Sequence, residues 1–198
     1  MRIARFEAKT AVEGPGERSA LWLQGCSLKC PGCCNPELQQ FGSGQNLSVE
    51  EIAGQILAAR AEGLTLLGGE PLDQAGELLQ LLQLLRQSGY CGIIMFSGYT
   101  WAEIEADADR KSVAGLCDLV IAGRFERQFS PGNRRWIGSD NQTLHFISDY
   151  YAWLRQQWPA NVREIEIFIR DGVIMVNGSP LDADHEISRM LCGHAILP

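Results

Sequence analysis

Gln24-Gly25-Cys26-Ser27-Leu28-Lys29-Cys30-Pro31-Gly32-Cys33-Cys34-Asn35 holds four of the seven cysteines of this 198-residue chain. Three residues separate Cys26 from Cys30 and two separate Cys30 from Cys33. Gly25, Pro31 and Gly32 bend the backbone so that the sulfurs can converge. Thiolates are soft ligands, suited to iron–sulfur clusters or zinc. A structural zinc site or an electron-transfer 4Fe–4S cluster closes on four ligands, so three thiolates would leave one iron open to a small molecule. Cys34 follows directly and offers a fourth sulfur.

Around this loop the composition is that of an ordinary globular protein, with 45% hydrophobic and 21% charged residues and length enough for one core. One domain over residues 1–198 is expected, with the cysteine loop at 25–35 and a C-terminal helix and hairpin at about 148–180. The net charge of −7 argues against a broad basic field for nucleic acid or an anionic membrane. Small molecules or another protein are the expected partners. Met1 to Glu7 lacks the apolar run of a signal peptide, and no apolar stretch approaches the roughly 20 residues that span a bilayer. Cysteine-rich and without a secretion signal, the chain is expected in a reducing, cytoplasmic compartment, its thiols serving metal or core roles. Cys91 and Cys117 stand at the entrance to apolar runs and read as small buried hydrophobes. His145 reads as a strand residue, His185 and His194 as surface residues.

Upstream of the loop, Arg2 to Ala8 alternates weakly and fits an edge strand. Val12 to Arg18 contains Gly14-Pro15-Gly16 and reads as a turn-rich loop, since that tripeptide suits neither a helix nor a central strand. Ala20 to Gln24 is then a short apolar strand that delivers the chain to Cys26. Downstream, Gln39 to Asn46 is a polar connection. Ser48-Val49-Glu50-Glu51 is a capping box that opens a helix running to Arg60, with Gly63 as a stop. Leu64 to Leu67 reads as a buried strand ending in Gly68-Gly69-Glu70-Pro71. A helix from about Asp73 to Ser88 follows, and then a strand over Gly92 to Phe96, ending in Ser97-Gly98-Tyr99. Thr100 to Glu103 repeats the capping box before a short helix, and Leu116 to Ile121 is another buried strand, ending at Ala122-Gly123. Phe125 to Gln142 is a long polar loop. Asp149 to Trp158 suits a helix with Tyr150, Trp153 and Leu154 on one side. Ile165 to Val176 predicts a hairpin turning at Asp171-Gly172 and packed on the sheet edge.

Strands and helices alternating at this spacing predict an α/β fold with a parallel sheet. In such sheets reactive groups gather past the carboxyl ends of the strands. Cys26, Gly68-Gly69-Glu70, Ser97-Gly98-Tyr99 and Gly123 all fall there, so they can share one rim. Gly68 and Gly69 would let a ligand approach the backbone with no Cβ in the way. Glu70 offers a carboxylate to a cationic group such as an amine.

Cys26-x-x-x-Cys30-x-x-Cys33 followed by Gly68-Gly69-Glu70-Pro71 resembles the signature of radical S-adenosylmethionine enzymes. Glu13-Gly14-Pro15-Gly16-Glu17-Arg18, Cys30-Pro31-Gly32-Cys33, Ser97-Gly98-Tyr99, Asp118 to Gly123 and Gly138-Ser139-Asp140-Asn141-Gln142 narrow the resemblance. Over roughly Val12 to Gln142, the chain resembles the activating enzymes of glycyl-radical proteins, above all those of anaerobic ribonucleoside-triphosphate reductase. The resemblance implies an incomplete (β/α) barrel with a C-terminal β-hairpin. It implies a 4Fe–4S cluster on Cys26, Cys30 and Cys33, with S-adenosylmethionine bound at the open iron. In that family the reduced cluster cleaves the sulfonium to methionine and a 5′-deoxyadenosyl radical, which takes hydrogen from the substrate. By the same resemblance Gly68, Gly69 and Glu70 meet the methionine end, with Glu70 accepting from its ammonium. Gly32 and Cys34 lie beside the third ligand, and Ser97 contacts the cofactor from the next strand. No catalytic residue is implied beyond these ligands. The implied partners are a glycyl-radical enzyme, such as an anaerobic ribonucleotide reductase, and a low-potential electron donor such as flavodoxin or ferredoxin.

Three residues depart from the family pattern. Cys34 stands where an aromatic residue or His is usual and could replace Cys33 in a slipped ligand set, although the family's spacing favours Cys33; Ala122 stands where Asp precedes Gly, and Ile137 where Arg follows Trp. Two other readings stay open. One is radical modification of a peptide or small metabolite, with residues 125–142 closing over it. The other is a non-catalytic zinc or iron–sulfur module on all four cysteines, although adjacent Cys33 and Cys34 make poor simultaneous ligands for one tetrahedral ion.

Overall fold

A computed structural model describes residues 1–130, 132–162, 164–170 and 173–178. The expectations for the Asp171-Gly172 turn, His185 and His194 lie outside these residues. Seven strands form one sheet: β1 (Arg2–Thr10), β2 (Arg18–Leu23), β3 (Gln45–Asn46), β4 (Gly63–Gly68), β5 (Ile93–Ser97), β6 (Leu119–Ala122) and β7 (Thr143–Phe146). Their spatial order is β3-β1-β2-β4-β5-β6-β7. The central four strands, β2, β4, β5 and β6, run parallel, with Leu21 opposite Leu66, Leu66 opposite Met95 and Met95 opposite Val120. β1 and β7 flank them antiparallel. The expected mixed α/β class is therefore present.

Successive strand side chains point to opposite faces, and this sorts the apolar residues into two cores. Leu21, Leu66, Met95 and Val120 pack with helices α1 (Val49–Ala59), α2 (Ala75–Gln87), α3 (Trp101–Glu105) and α4 (Ala108–Ala114). Ile94, Leu119 and Ile121 face the other way and pack with Ile137, Tyr151 and Leu154. Both capping boxes form: Ser48 with Glu51 starts α1 and Thr100 with Glu103 starts α3. α2 turns Leu78, Leu81, Leu82 and Leu85 fully inward, and each buried leucine stabilises by about 1.5–3 kcal/mol.

Several boundaries differ from the sequence expectation for identifiable reasons. β1 is not an edge strand, because Gln45–Asn46 of the polar connection pairs with its free side. Arg18 lies inside β2, not in the preceding turn, and is completely buried. Pro71 starts a 3-10 turn over Pro71–Gln74, which delays α2 to Ala75. α4 is an addition, capped by Asp107, whose side chain accepts from Asp109 N and Arg110 N. Helix α5 covers only Ala152–Gln156; Tyr151 and Leu154 turn inward while Tyr150 and Trp153 stay exposed. Cys117 is buried as expected, but Cys91 is exposed. The terminal hairpin, β8 (Ile165–Arg170) with β9 (Val173–Gly178), forms its own two-stranded sheet. It touches the end of β1 through Glu166, which accepts from Thr10 Oγ1 and from Ala11 N. Among the described residues no helix is long and apolar enough to cross a membrane.

Candidate metal centre

The cysteine loop leaves the carboxyl end of β2 and is moored before its first thiol. Buried Gln24 donates through Nε2 to Glu37 O at 3.1 Å and Gln40 O at 2.8 Å. Gly25 N donates to Leu38 O at 2.8 Å and Cys26 N to Gln39 O at 3.2 Å. The backbone turns left-handed at Gly25 (φ 101°) and Gly32 (φ 74°), as the glycines suggest, and also at Lys29 (φ 48°), a conformation uncommon for a side-chain-bearing residue. Cys26 is buried, Cys30 and Cys33 are half-buried, Cys34 is exposed, and all four are free thiols. Burial pushes the Cys26 thiol up. A hydrogen bond from the Cys34 thiol brings Cys33 down to about 6, while the same bond holds Cys34 up.

Among the described residues no three Cys, His, Asp or Glu side chains converge closely enough to hold one metal ion. A single zinc would need its sulfurs about 2.3 Å from the metal. A four-iron cube instead takes each thiolate on a separate corner. Such a cluster therefore does not need the sulfurs to meet at one ion.

Gly68-Gly69-Glu70 lies against the base of this loop. Gly69 N donates to Leu23 O and Glu70 N to Gly25 O, both at 2.8 Å. A Cβ on Gly69 would sit 2.1 Å from Gly25 O, and one on Gly68 would sit 2.5 Å from Leu23 N. At both glycines it is the chain itself that comes close: β2 at Gly68 and the start of the cysteine loop at Gly69. Gly69→Ala is accordingly expected to push the loop off β4 and to lower the iron bound per chain after reconstitution, measured by iron and sulfide analysis. Undiminished iron in that variant would contradict the mooring.

Glu70 is 1% exposed. Its Oε1 accepts from Leu72 N at 2.9 Å and Ser97 Oγ at 2.8 Å, and its Oε2 accepts from Gly98 N at 2.7 Å. It ties the ends of β4 and β5 together, with Ser97 in the tie. Burial raises its carboxyl to about 7 against the lowering by those three donors. The unfolded chain gives up this proton near the usual carboxylate value, so the folded state binds more protons between there and pH 7. Stability from this group is therefore greatest at low pH and is lost as pH rises to about 7, by about 3 kcal/mol in all. Urea midpoints of the cluster-free protein from pH 4.5 to 8 should show that decline, and Glu70→Gln should flatten it.

The motif Gly138 to Gln142 serves the loop after β6. Ser139 Oγ accepts from Glu126 N at 3.1 Å, Asn141 Nδ2 donates to Arg124 O at 2.8 Å, and Gln142 Nε2 donates to Gly123 O at 2.9 Å. That loop lays Arg127 on Gly32, where a Cβ would stand 3.2 Å from Arg127 Cδ. Ala122 lines a cleft of about 390 Å³ beside Gly123, Arg124 and Trp101. Ile137 is a core residue, 5% exposed, so its apolar character anchors the long loop. His145 lies in β7, stacked on Trp101 at 4.1 Å between ring centroids. Sequence reasoning missed Gln24 and Asp73, which hold the loop. Their signal was a polar side chain at a strand end and in a turn, which is common on any surface.

The cysteine loop thus stands at the carboxyl rim of a parallel α/β sheet, with four free thiols. Residues 12–145 match the family described as a 4Fe-4S single cluster domain. The chain belongs to that family, and within it to the radical S-adenosylmethionine activating-enzyme group. It is 30% identical over 159 residues to the anaerobic ribonucleoside-triphosphate reductase-activating protein of Pasteurella multocida, covering 76% of this chain and 100% of that protein. The protein of the same name from enterobacteria phage T4 is 33% identical over 144 residues, 70% of this chain and 89% of the phage protein. The pyruvate formate-lyase-activating enzyme of Clostridium pasteurianum is 33% identical over 110 residues, 52% of this chain and 46% of that enzyme.

Proposed function

We propose that this chain installs a glycyl radical on a partner enzyme, most closely an anaerobic ribonucleotide reductase. The observation that carries the reading is the three-thiol loop seated on the Gly69-Glu70 backbone at the rim of a parallel sheet, in a chain similar along the full length of a reductase-activating protein. Cys26, Cys30 and Cys33 hold the 4Fe–4S cluster. Gly68, Gly69, Gly32 and Cys34 form the seat for the methionine end of S-adenosylmethionine, while Glu70 and Ser97, expected to touch it directly, are buried behind that seat and hold the ends of β4 and β5 together. When bound, the cluster and S-adenosylmethionine supply one-electron cleavage of a carbon–sulfur bond and a radical able to abstract hydrogen. The protein holds the loop in register, keeps Cys26 and Glu70 out of water, and presents the site on an open rim.

The sheet is read as an incomplete (β/α) barrel, the chain as one domain over residues 1–198, and its compartment as cytoplasmic. A minimal barrel leaves room for a protein loop as substrate. A low-potential flavodoxin or ferredoxin supplies the electron. The test is anaerobic reconstitution and reduction, followed by assay of 5′-deoxyadenosine with and without S-adenosylmethionine. Adding an anaerobic ribonucleotide reductase should then produce a glycyl-radical EPR signal on that partner. Nucleoside formation without any radical on the partner would sink the proposal and favour a peptide or small metabolite as substrate.

A further inference from the structure

One carboxylate on the rim is fully engaged although the proposed reaction gives it no task. Asp73, in the 3-10 turn after Glu70, reaches back to the cysteine loop. Its Oδ2 accepts from Ser27 N at 2.6 Å, and its Oδ1 accepts from Ser27 Oγ at 2.9 Å and from Tyr99 OH at 2.8 Å. Ser27 Oγ and Tyr99 OH are 3.1 Å apart, which closes the triangle. Arg110 stacks on the Tyr99 ring at 3.8 Å but forms its ion pair with Asp107. Among the described residues Asp73 has no ion pair, and its partners are three hydrogen-bond donors.

Ser27 follows the first thiol directly. Asp73 takes both its peptide N–H and its hydroxyl, so neither donor is free for a sulfur at this end of the loop. Cluster potentials are set by net charge and by hydrogen bonds to the sulfurs. A fixed anion opposes the arrival of an electron, and donors diverted to a carboxylate cannot stabilise the reduced form. Both effects act in the same direction, and a half-buried charge is screened less than an exposed one.

We propose that Asp73 is a positioning residue that fixes the Cys26 end of the loop and holds the cluster's reduction potential low. The proposal rests on the reading of Cys26, Cys30 and Cys33 as the cluster ligands. Low potential is what makes the reduced cluster a strong one-electron donor to a bound sulfonium.

The experiment is an EPR-monitored redox titration of the full, anaerobically reconstituted chain, alongside iron and sulfide per chain. Asp73→Asn keeps the size and one acceptor oxygen but removes the charge. Its midpoint potential is expected to shift upward at unchanged iron content. Tyr99→Phe keeps the charge and both Ser27 bonds, so its shift should be smaller. An unchanged or lower potential in a fully loaded Asp73→Asn protein overturns the proposal, because a merely structural role would alter loading and leave the potential alone. Should Asp73→Asn fail to hold a cluster, Asp73→Glu keeps the charge: a potential near that of the unaltered protein supports the proposal and a raised one overturns it. A Cys26→Ala control separates the two readings, since full iron with an unchanged EPR signal there would overturn the ligand set itself.

Discussion

Cys30→Ala is expected to leave a folded chain that no longer forms 5′-deoxyadenosine. Cys30 is half-buried and outside the two apolar cores. The turn it stabilises uses its backbone oxygen, which accepts from Cys33 N at 3.2 Å, and alanine retains that oxygen. The loss therefore falls on the metal site and not on the fold. Removing a group that only supports a ligand costs about 10–100-fold in metal affinity or activity, so removing one of the three proposed ligands should cost more than about 100-fold. Circular dichroism should stay that of the unaltered protein while iron, sulfide and nucleoside fall together. Two companions sharpen the result. Cys34→Ala should keep its iron, and Cys33→Ala should lose it; the reverse pattern would establish the slipped set in which Cys34 is the third ligand. Nucleoside formation surviving in Cys30→Ala would remove the loop from the chemistry altogether.

The second large effect lies at the opposite end of the parallel strands. Arg18 pairs with Gly63 at the start of β2 and β4 and is 0% exposed. All five of its N–H donors are used. Nε donates to Thr65 Oγ1 at 2.6 Å, Nη1 to Pro15 O at 2.7 Å and Tyr151 OH at 3.1 Å, and Nη2 to Leu64 O and Gly92 O at 2.9 Å each. One guanidinium thus holds the leader loop, β4, the start of β5 and the turn into α5. Arg18→Met fills the space but leaves these buried oxygens without their donor. Leaving several buried oxygens without their charged donor costs roughly 3–5 kcal/mol in all, a large part of the 5–15 kcal/mol that typically stabilises a domain. Thermal unfolding of the cluster-free protein should drop by roughly 6–20 °C, or the variant should fail to fold. Arg18→Lys keeps the charge with three donors and should fall between. A shift of a degree or two in Arg18→Met would show that water replaces the guanidinium.

Arg18 also shows how a motif and its reason can come apart. The stretch Glu13 to Arg18 supports the family resemblance, yet its arginine is a structural tie far along the strands from the thiols. Gly14 belongs to that tie, since a Cβ there would lie 2.9 Å from Arg18 Cδ. Gly68 and Gly69 show the same separation. Their identity was legible as a place of close approach, but whether a ligand or the chain itself makes that approach depends on where the loop from Gly25 to Leu38 lies. Tyr150 and Trp153 were misjudged because α5 is only five residues long, too short for helical periodicity to decide which face is inward.

Local rules sufficed wherever the determinant lies within a few residues of sequence. The capping boxes at Ser48 and Thr100, the alternation of β2, β4, β5 and β6 with helices, and the spacing of Cys26, Cys30 and Cys33 are such cases, and from them the α/β class and the thiol loop could be read directly. The tertiary structure alone decided which distant groups meet: Asp73 with Ser27 and Tyr99, Glu70 with Ser97 and Gly98, and Arg18 with Gly92 and Tyr151. These pairs are separated by 26 to 133 residues. No local preference encodes them, because a buried carboxylate or guanidinium takes its partners from whichever backbone ends the sheet brings together.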